Sequence, residues 1–215
     1  MNLGMSNKVV TLVKEVKSLI NNSVIPVEKE FFNNVKIQKN RFSYSPRMTE
    51  ILETLKSEAK SKGLWNFWLT DPVKGVGLST VEYAYLAEEM GKCRLGAEVF
   101  NCSAPDTGNM EVFKRYGSNE HKEKWLKPLL NGEIRSAYCM TEPKVASSDA
   151  TNMSLSAVKQ NGRYILNGEK WWASGAGDPR CSVYIVMVKT GDCSLPQHQR
   201  HSMMVVPSNA TGIKI

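Results

Sequence analysis

The spacing of apolar residues changes character once along this chain, close to residue 132, and that change limits the fold more than any single motif. Before it, apolar residues recur at helical spacing. Val9, Leu12, Val13, Val16, Leu19 and Ile20 share one face. Pro26 permits a restart or a kink, and residues 27–32 continue the pattern. Met48, Ile51, Leu52, Leu55 and Ala59 form a second stripe, opening near Pro46 and stopping at Gly63. Residues 81–90 predict a third helix, with Ser79 or Thr80 to cap it and Gly91 just past its end. Residues 106–116 and 118–130 predict two more, separated by Gly117, with Pro128 marking a fraying end. Trp65, Phe67, Trp68 and Leu69 predict a loop that packs on the helices.

After Gly132 the runs are short and β-rich: residues 135–140, 154–159, 164–166, 170–173, 183–188 and 203–206. Asn161-Gly162 and Asn167-Gly168 are turn dipeptides. The chain therefore reads as α+β, with a helical domain over residues 1–132 and a β domain over residues 133–215. Residues 192–202 predict a polar, mobile loop. Thr211-Gly212-Ile213-Lys214-Ile215 alternates like the start of another strand, which carries the expectation that the chain is a piece of something longer.

Composition removes several function classes. The 215 residues are enough for a sizeable core, and 41% of them are hydrophobic. No apolar run is long enough to span a bilayer. Residues 1–17 lack the apolar centre of a secretory signal; Glu15, Glu28 and Glu30 favour ordinary structure over a transit helix. The five cysteines show no Cys-x-x-Cys spacing and read as free thiols of a reducing compartment. Without a secretory signal, the Asn-x-Ser/Thr triplets at Asn21, Asn101, Asn152 and Asn209 read as chance matches. The net charge of +7 suits a polyanionic ligand such as a nucleotide phosphate, and equally a solvated surface. The basic residues are spread along the chain without aromatic interleaving, which argues against nucleic acid.

Chemistry concentrates in Tyr138-Cys139-Met140-Thr141-Glu142-Pro143, in Val145-Ala146-Ser147-Ser148-Asp149, and in Lys170-Trp171-Trp172-Ala173-Ser174-Gly175. Together they offer an aromatic wall, small hydroxyls and backbone amides, which is what a flat isoalloxazine ring with one polar edge requires. Met140 and Thr141 sit at a strand end, with the Thr141 hydroxyl as a donor; Ser147 and Ser148 lie beside a turn. Trp172 suits the ring, and Ser174 would share its side of a strand. The residues alone fit a plainer reading better, a tryptophan in a β core beside a polar turn. Gly175-x-Gly177 leads into Asp178-Pro179 rather than a helix, so it is no dinucleotide turn.

Other candidates are weaker. His198-x-x-His201 has metal-like spacing but no cysteine or carboxylate partner nearby in sequence, so no metal site is assigned. His121 reads as solvated, and Cys139 as a small buried thiol rather than a nucleophile. No Ser/His/Asp arrangement is supported.

The hexapeptide from Tyr138, the Ser148-Asp149 pair and Lys170-Trp171-Trp172 resemble the two signatures of the acyl-CoA dehydrogenase family. Asn101-Cys102-Ser103-Ala104-Pro105-Asp106-Thr107-Gly108-Asn109-Met110 and the stretch from Val145 to Asn152 resemble its subgroup of family members 10 and 11. The resemblance covers nearly the whole chain. It implies a helical domain followed by a partial antiparallel β domain, with a third, helical domain beyond. It implies FAD contacts at Tyr138, Cys139, Met140, Thr141, Ser147 and Ser148, with Ser148 also touching acyl-CoA. Trp172, Ala173 and Ser174 would cover the other part of the ring, Ser174 near N5. One departure is Lys144-Val145-Ala146-Ser147-Ser148-Asp149, longer by a residue than the family's usual turn and without its glycines.

The reaction implied is α,β-dehydrogenation of acyl-CoA in fatty-acid β-oxidation. Its carboxylate base is expected beyond Ile215, so no catalytic residue is assigned within the chain; Glu142 reads as structural. The resemblance further implies longer or 4-hydroxyacyl substrates, an acyl pocket bordered by the apolar helices and residues 106–110, electron transfer to an electron-transfer flavoprotein, a homo-oligomer, and a mitochondrial or peroxisomal location. Two alternatives remain open: a non-catalytic binding fragment, and a flavin oxidase or monooxygenase of the same fold.

Overall fold

The first apolar stripe builds one long helical run. A computed structural model, which describes residues 4–40, 42–72 and 75–215, shows α1 (Asn7–Leu19) passing through a π-helical turn at Ile20–Val24 into α2 (Ile25–Ile37). Residues 1–3, within the segment tested for a leader, lie outside the described residues. The Ile25 N–H bonds to the Ile20 carbonyl, five residues back, immediately before Pro26. A proline has no N–H and collides with the carbonyl four residues earlier. A turn widened by one residue relieves that collision, so the helix continues through Pro26, where the sequence allowed a restart or a kink.

The device recurs at Pro128. Between α7 (Asn119–His121) and α8 (Lys127–Leu130) lies a second π turn, Lys122–Leu126, closed by Lys127 N–H on the Lys122 carbonyl. Pro128 thus sits in the first turn of α8 rather than at a fraying end.

The remaining helices are α3 (Pro46–Ser61), α4 (Thr80–Met90), the short α5 (Gly96–Val99), which the periodicity does not reveal, and α6 (Asp106–Tyr116). Each start with a serine cap follows from local chemistry. Ser6, Ser45, Ser79 and Ser118 accept from the N–H three residues on, and Glu82 returns the bond to Ser79 as a capping box. The stripe Met48, Ile51, Leu52, Leu55 and Ala59 is buried throughout, as are Phe67 and Leu69 of the following loop.

The strands are β1 (Arg135–Cys139), β2 (Ser156–Gln160), β3 (Arg163–Asn167), β4 (Cys181–Lys189) and β5 (His201–Pro207). β4 is the spine. β5 runs antiparallel along one edge, from Val183↔Pro207 to Lys189↔His201. The other edge carries β1, parallel from Ser136↔Val183 to Cys139↔Val186, and then the first residue of β2, parallel at Ser156↔Lys189. β2 and β3 form an antiparallel hairpin whose turn residues, Asn161 and Gly162, both have positive φ. The sheet is therefore mixed, which corrects the expectation of an antiparallel one. Parallel neighbours need a long crossover, and residues 140–180 supply it.

Two expected strands do not form. Residues 170–173 are a loop, because Trp172 takes a left-handed φ of 54° that no strand admits. Residues 211–215 have no ladder partner among the described residues and turn at Gly212. Residues 192–202 are not one uniform loop either, since a 3-10 turn forms at Gln197–Gln199 and β5 starts at His201.

A helical N-terminal part thus precedes a β part, and the chain divides into two compact units, one ending at Thr107 and the other beginning at Gly108. The change from helix to strand lies further along, after α8. In the second unit α6 is tied to β1 by the buried bond from Asn109 Nδ2 to Ser136 Oγ, 2.9 Å.

Ser45→Ala tests the capping logic. Ser45 Oγ accepts from Met48 N–H at 3.1 Å and donates to Asn34 Oδ1 at 3.2 Å, holding the start of α3 against the end of α2. Chemical denaturation should show a loss of about 1 kcal/mol.

Candidate functional site

The end of β1 and the loop after β3 meet through side chains of the two quoted motifs. Trp171 N–H donates to the Thr141 carbonyl at 2.9 Å, and the Thr141 hydroxyl donates to the Trp171 carbonyl at 2.6 Å. This reciprocal pair places Met140 and Thr141 beside Trp171–Ser174 although thirty residues separate them in sequence. The Thr141 hydroxyl proton is thereby directed at Trp171, leaving oxygen lone pairs for any further partner.

Below this pair lies a buried ion pair. Lys170 Nζ donates to Glu142 Oε1 and to the Met140 carbonyl, each at 2.8 Å. Glu142 is 4% exposed. Its Oε1 also accepts from Leu155 N–H (2.9 Å), and its Oε2 from the Ser154 N–H and hydroxyl (2.8 and 2.6 Å). Burial by itself would raise this carboxyl's pKa. The Lys170 ammonium, the Ser154 hydroxyl and the two amides overcome that and hold it at about 2. A carboxylate so engaged is a poor proton acceptor and a good structural anchor.

The candidate contact residues sort by exposure. Trp172 is 83% exposed, and its indole lies 5.9 Å from that of Trp171 at 58°. Ser174 is exposed, whereas Ala173 packs against the cluster formed by Ala137, Cys139, Leu155 and Tyr184. Because Trp172 is left-handed rather than extended, Ser174 does not follow it on one side of a strand. Tyr138 and Cys139 point to opposite faces of β1, so only one of them can turn its side chain to a given ligand. Cys139 is on the buried side. Burial, opposed by Lys170, pushes its thiol up to about 11, so it stays neutral at physiological pH. Tyr138 and Met140 are half-buried.

The serines of the second motif divide as well. Ser147 is buried, and its Oγ accepts from the Glu142 N–H. Its hydroxyl shapes the turn from within. Ser148 is exposed. Asp149 caps the 3-10 turn Ala150–Asn152, accepting from Thr151 N–H and Oγ1, and those bonds lower its pKa. From the β4–β5 loop, Gln197 reaches the same turn and donates to Thr151 Oγ1 at 2.7 Å. Among the described residues no group of His, Cys, Asp and Glu is arranged to hold a metal ion, and no helix is long and apolar enough to cross a membrane.

Ser154 and Lys170 carry roles that residue-type reasoning does not assign. Lys170 lies inside a quoted motif, but its function depends on partners 28 and 30 residues away. Nothing local marks Ser154.

A family model described as "Acyl-CoA dehydrogenase, N-terminal domain" matches residues 10–133, and one described as "Acyl-CoA dehydrogenase, middle domain" matches residues 137–215. The chain is similar to acyl-CoA dehydrogenase family member 10 of Mus musculus, with 48% identity over 99% of this chain and 20% of that protein. A solved structure from Mycobacterium abscessus, assigned to the acyl-CoA dehydrogenases, superposes with a TM-score of 0.89 at 45% identity, covering 99% of this chain and 53% of that one. The structure described as the FAD complex of PigA shares the fold, with a TM-score of 0.72 at 22% identity, over 99% of this chain and 51% of that one. The chain thus spans about half the length of these solved structures and about a fifth of the curated relative.

The depressed Glu142 carboxyl makes stability depend on acid pH. Its pKa is lowered from 4.5 to about 2, so its contribution is complete above 4.5 and is lost as pH falls from there towards 2. At 1.36 kcal/mol per pKa unit the contribution is about 3 kcal/mol. Urea unfolding across that window should show the loss. Glu142→Gln should be less stable at pH 7, with a shallower acid dependence.

Proposed function

The chain belongs to the acyl-CoA dehydrogenase family, and on that premise we propose that it is the flavin-holding part of an FAD-dependent acyl-CoA dehydrogenase. The observation that carries the reading is the reciprocal Thr141–Trp171 pair, which sets the two motifs side by side.

The residues fit a flat ring with one polar edge. Trp172 presents a nearly uncovered indole, and an aromatic partner laid on it gains about 0.5–1.5 kcal/mol beyond area burial. Ser174 offers an exposed hydroxyl, Thr141 offers the lone pairs of an oxygen whose proton is given to Trp171, and Ala173 adds no bulk. Tyr138 and Cys139 contribute from β1 and Met140 from the residue after it, Cys139 through its backbone, since its side chain is buried. Ser147 supports the turn that presents Ser148, which we assign to both the cofactor and the acyl-CoA. When bound, the flavin supplies a hydride acceptor at N5 for the hydrogen on the acyl β-carbon.

We place the α-proton base outside residues 1–215. Glu142 has both oxygens engaged and Asp149 is committed to its capping bonds. This favours a second statement about the 215-residue chain alone: it binds flavin and thioester without turnover. β-Oxidation, an electron-transfer flavoprotein as electron acceptor, a homo-oligomer and a mitochondrial or peroxisomal location complete the proposal.

Fluorescence titration of the purified chain with FAD tests it. Trp172→Ala should weaken binding roughly tenfold, the equivalent of about 1.4 kcal/mol. Ser174→Ala should shift the flavin potential with a smaller change in affinity. Unchanged affinity and potential in both variants would count against the assignment. Flavin bleaching by acyl-CoA at enzyme-like rates would show that the chain holds its own base. Rapid reoxidation by air would move the reading to an oxidase.

A further inference from the structure

Glu142 and Lys170 belong to different motifs, and neither is a surface charge: their side chains are 3% and 7% exposed. Three chain segments converge on them. Lys170 Nζ holds the exit of β1 through the Met140 carbonyl and also meets Met153 Sδ at 3.4 Å. Glu142 holds the entry to β2 through Ser154 and Leu155. Lys170 itself begins the loop that carries Trp171 and Trp172. An ammonium has three donors in tetrahedral array, and here each has a partner: a carbonyl, a carboxylate and a thioether.

The loop it starts has few other anchors. Trp171 is 46% and Trp172 83% exposed. Beyond Lys170, the fixed points are the Thr141–Trp171 pair, the packing of Ala173 and Ala176, and the bond from Tyr184 OH to the Ala176 carbonyl at 3.0 Å. The spacing between the end of β1 and the two indoles is thus held by the Thr141–Trp171 pair and, just before it, by a lysine reaching back to the Met140 carbonyl.

We propose that Lys170, through its bonds to Met140 and Glu142, is a positioning residue that fixes the Trp171–Ser174 loop against the end of β1 and so pre-forms the flavin-contacting surface. This rests on the flavin reading given above. Pre-formation lowers the ordering cost of binding, so losing it weakens the cofactor without removing any group that touches it.

The test separates positioning from mere stability. Lys170→Met leaves a buried carboxylate without its counter-ion and is destabilised. The double variant Lys170→Met with Glu142→Gln removes both charges and so leaves no buried charge unpaired. Two readouts are taken on the double variant in the 215-residue chain. One is the circular-dichroism exciton couplet of the paired indoles, with Trp172→Ala as the zero reference; the other is FAD affinity. The expected result is wild-type-like unfolding with a couplet reduced by about half or more and affinity down by roughly tenfold, or about 1.4 kcal/mol. A wild-type couplet and wild-type affinity in a folded double variant would overturn the proposal. Should the unaltered chain bind no FAD, the functional reading falls, while the couplet, which needs no cofactor, still decides whether Lys170 positions the loop.

Discussion

The meeting of the end of β1, the entry to β2 and the Trp171–Ser174 loop depends on a buried carboxylate, Glu142. Burying Glu142 is unfavourable unless each oxygen is met by donors. The donors it finds come from the entry to β2 and from Lys170. Satisfying one charge therefore brings together segments that are far apart in sequence. Lys170 in turn binds the Met140 carbonyl, at the point where β1 leaves β4. Gly168 enters the same seam: a Cβ there would lie 2.8 Å from Leu155 Cγ and 2.9 Å from Leu155 Cα, so only glycine permits the approach.

The helical unit is built by a different economy. Its starts are set by serine caps and its core by stripes at 3.6-residue spacing. Proline, usually a terminator, is absorbed by a widened turn at Pro26, and Pro128 in the second unit is accommodated the same way. Left-handed asparagines do comparable local work. Asn66 and Asn101 both have φ near 55°, and Asn101 Nδ2 donates to Asn66 Oδ1 at 2.7 Å, which ties the loop after α3 to the turn after α5. Asparagine tolerates that backbone region better than other non-glycine residues.

Legibility in the sequence follows the range of the interaction responsible. Caps, stripes and the Asn161-Gly162 hairpin involve residues within a few positions of one another, and these were readable. The partners of β1 and β2 were not, because alternation shows that a strand is half-buried without showing which strand lies beside it. The failed strand at residues 170–173 is the clearest case. Its β-rich composition is real, yet Lys170, the Thr141–Trp171 pair and the Ala173 packing hold it as a loop. The motifs of the candidate site were visible as residue types. Residue pattern alone left a flavin surface and a β-core tryptophan both open, and the family resemblance favoured the first.

By itself the sequence determined the longer helices, the passage from helical to β structure and the turn dipeptides. Those properties depend on backbone propensity and on neighbours three or four residues apart. The tertiary structure alone decided the mixed sheet around β4. It also decided that Ser147 faces inward while Ser148 faces out, and that Cys139 is sealed while Trp172 is presented. The physical reason is the same in each case. A side chain's exposure depends on where a buried charge or a crossover brings a distant segment, and no local pattern encodes that meeting.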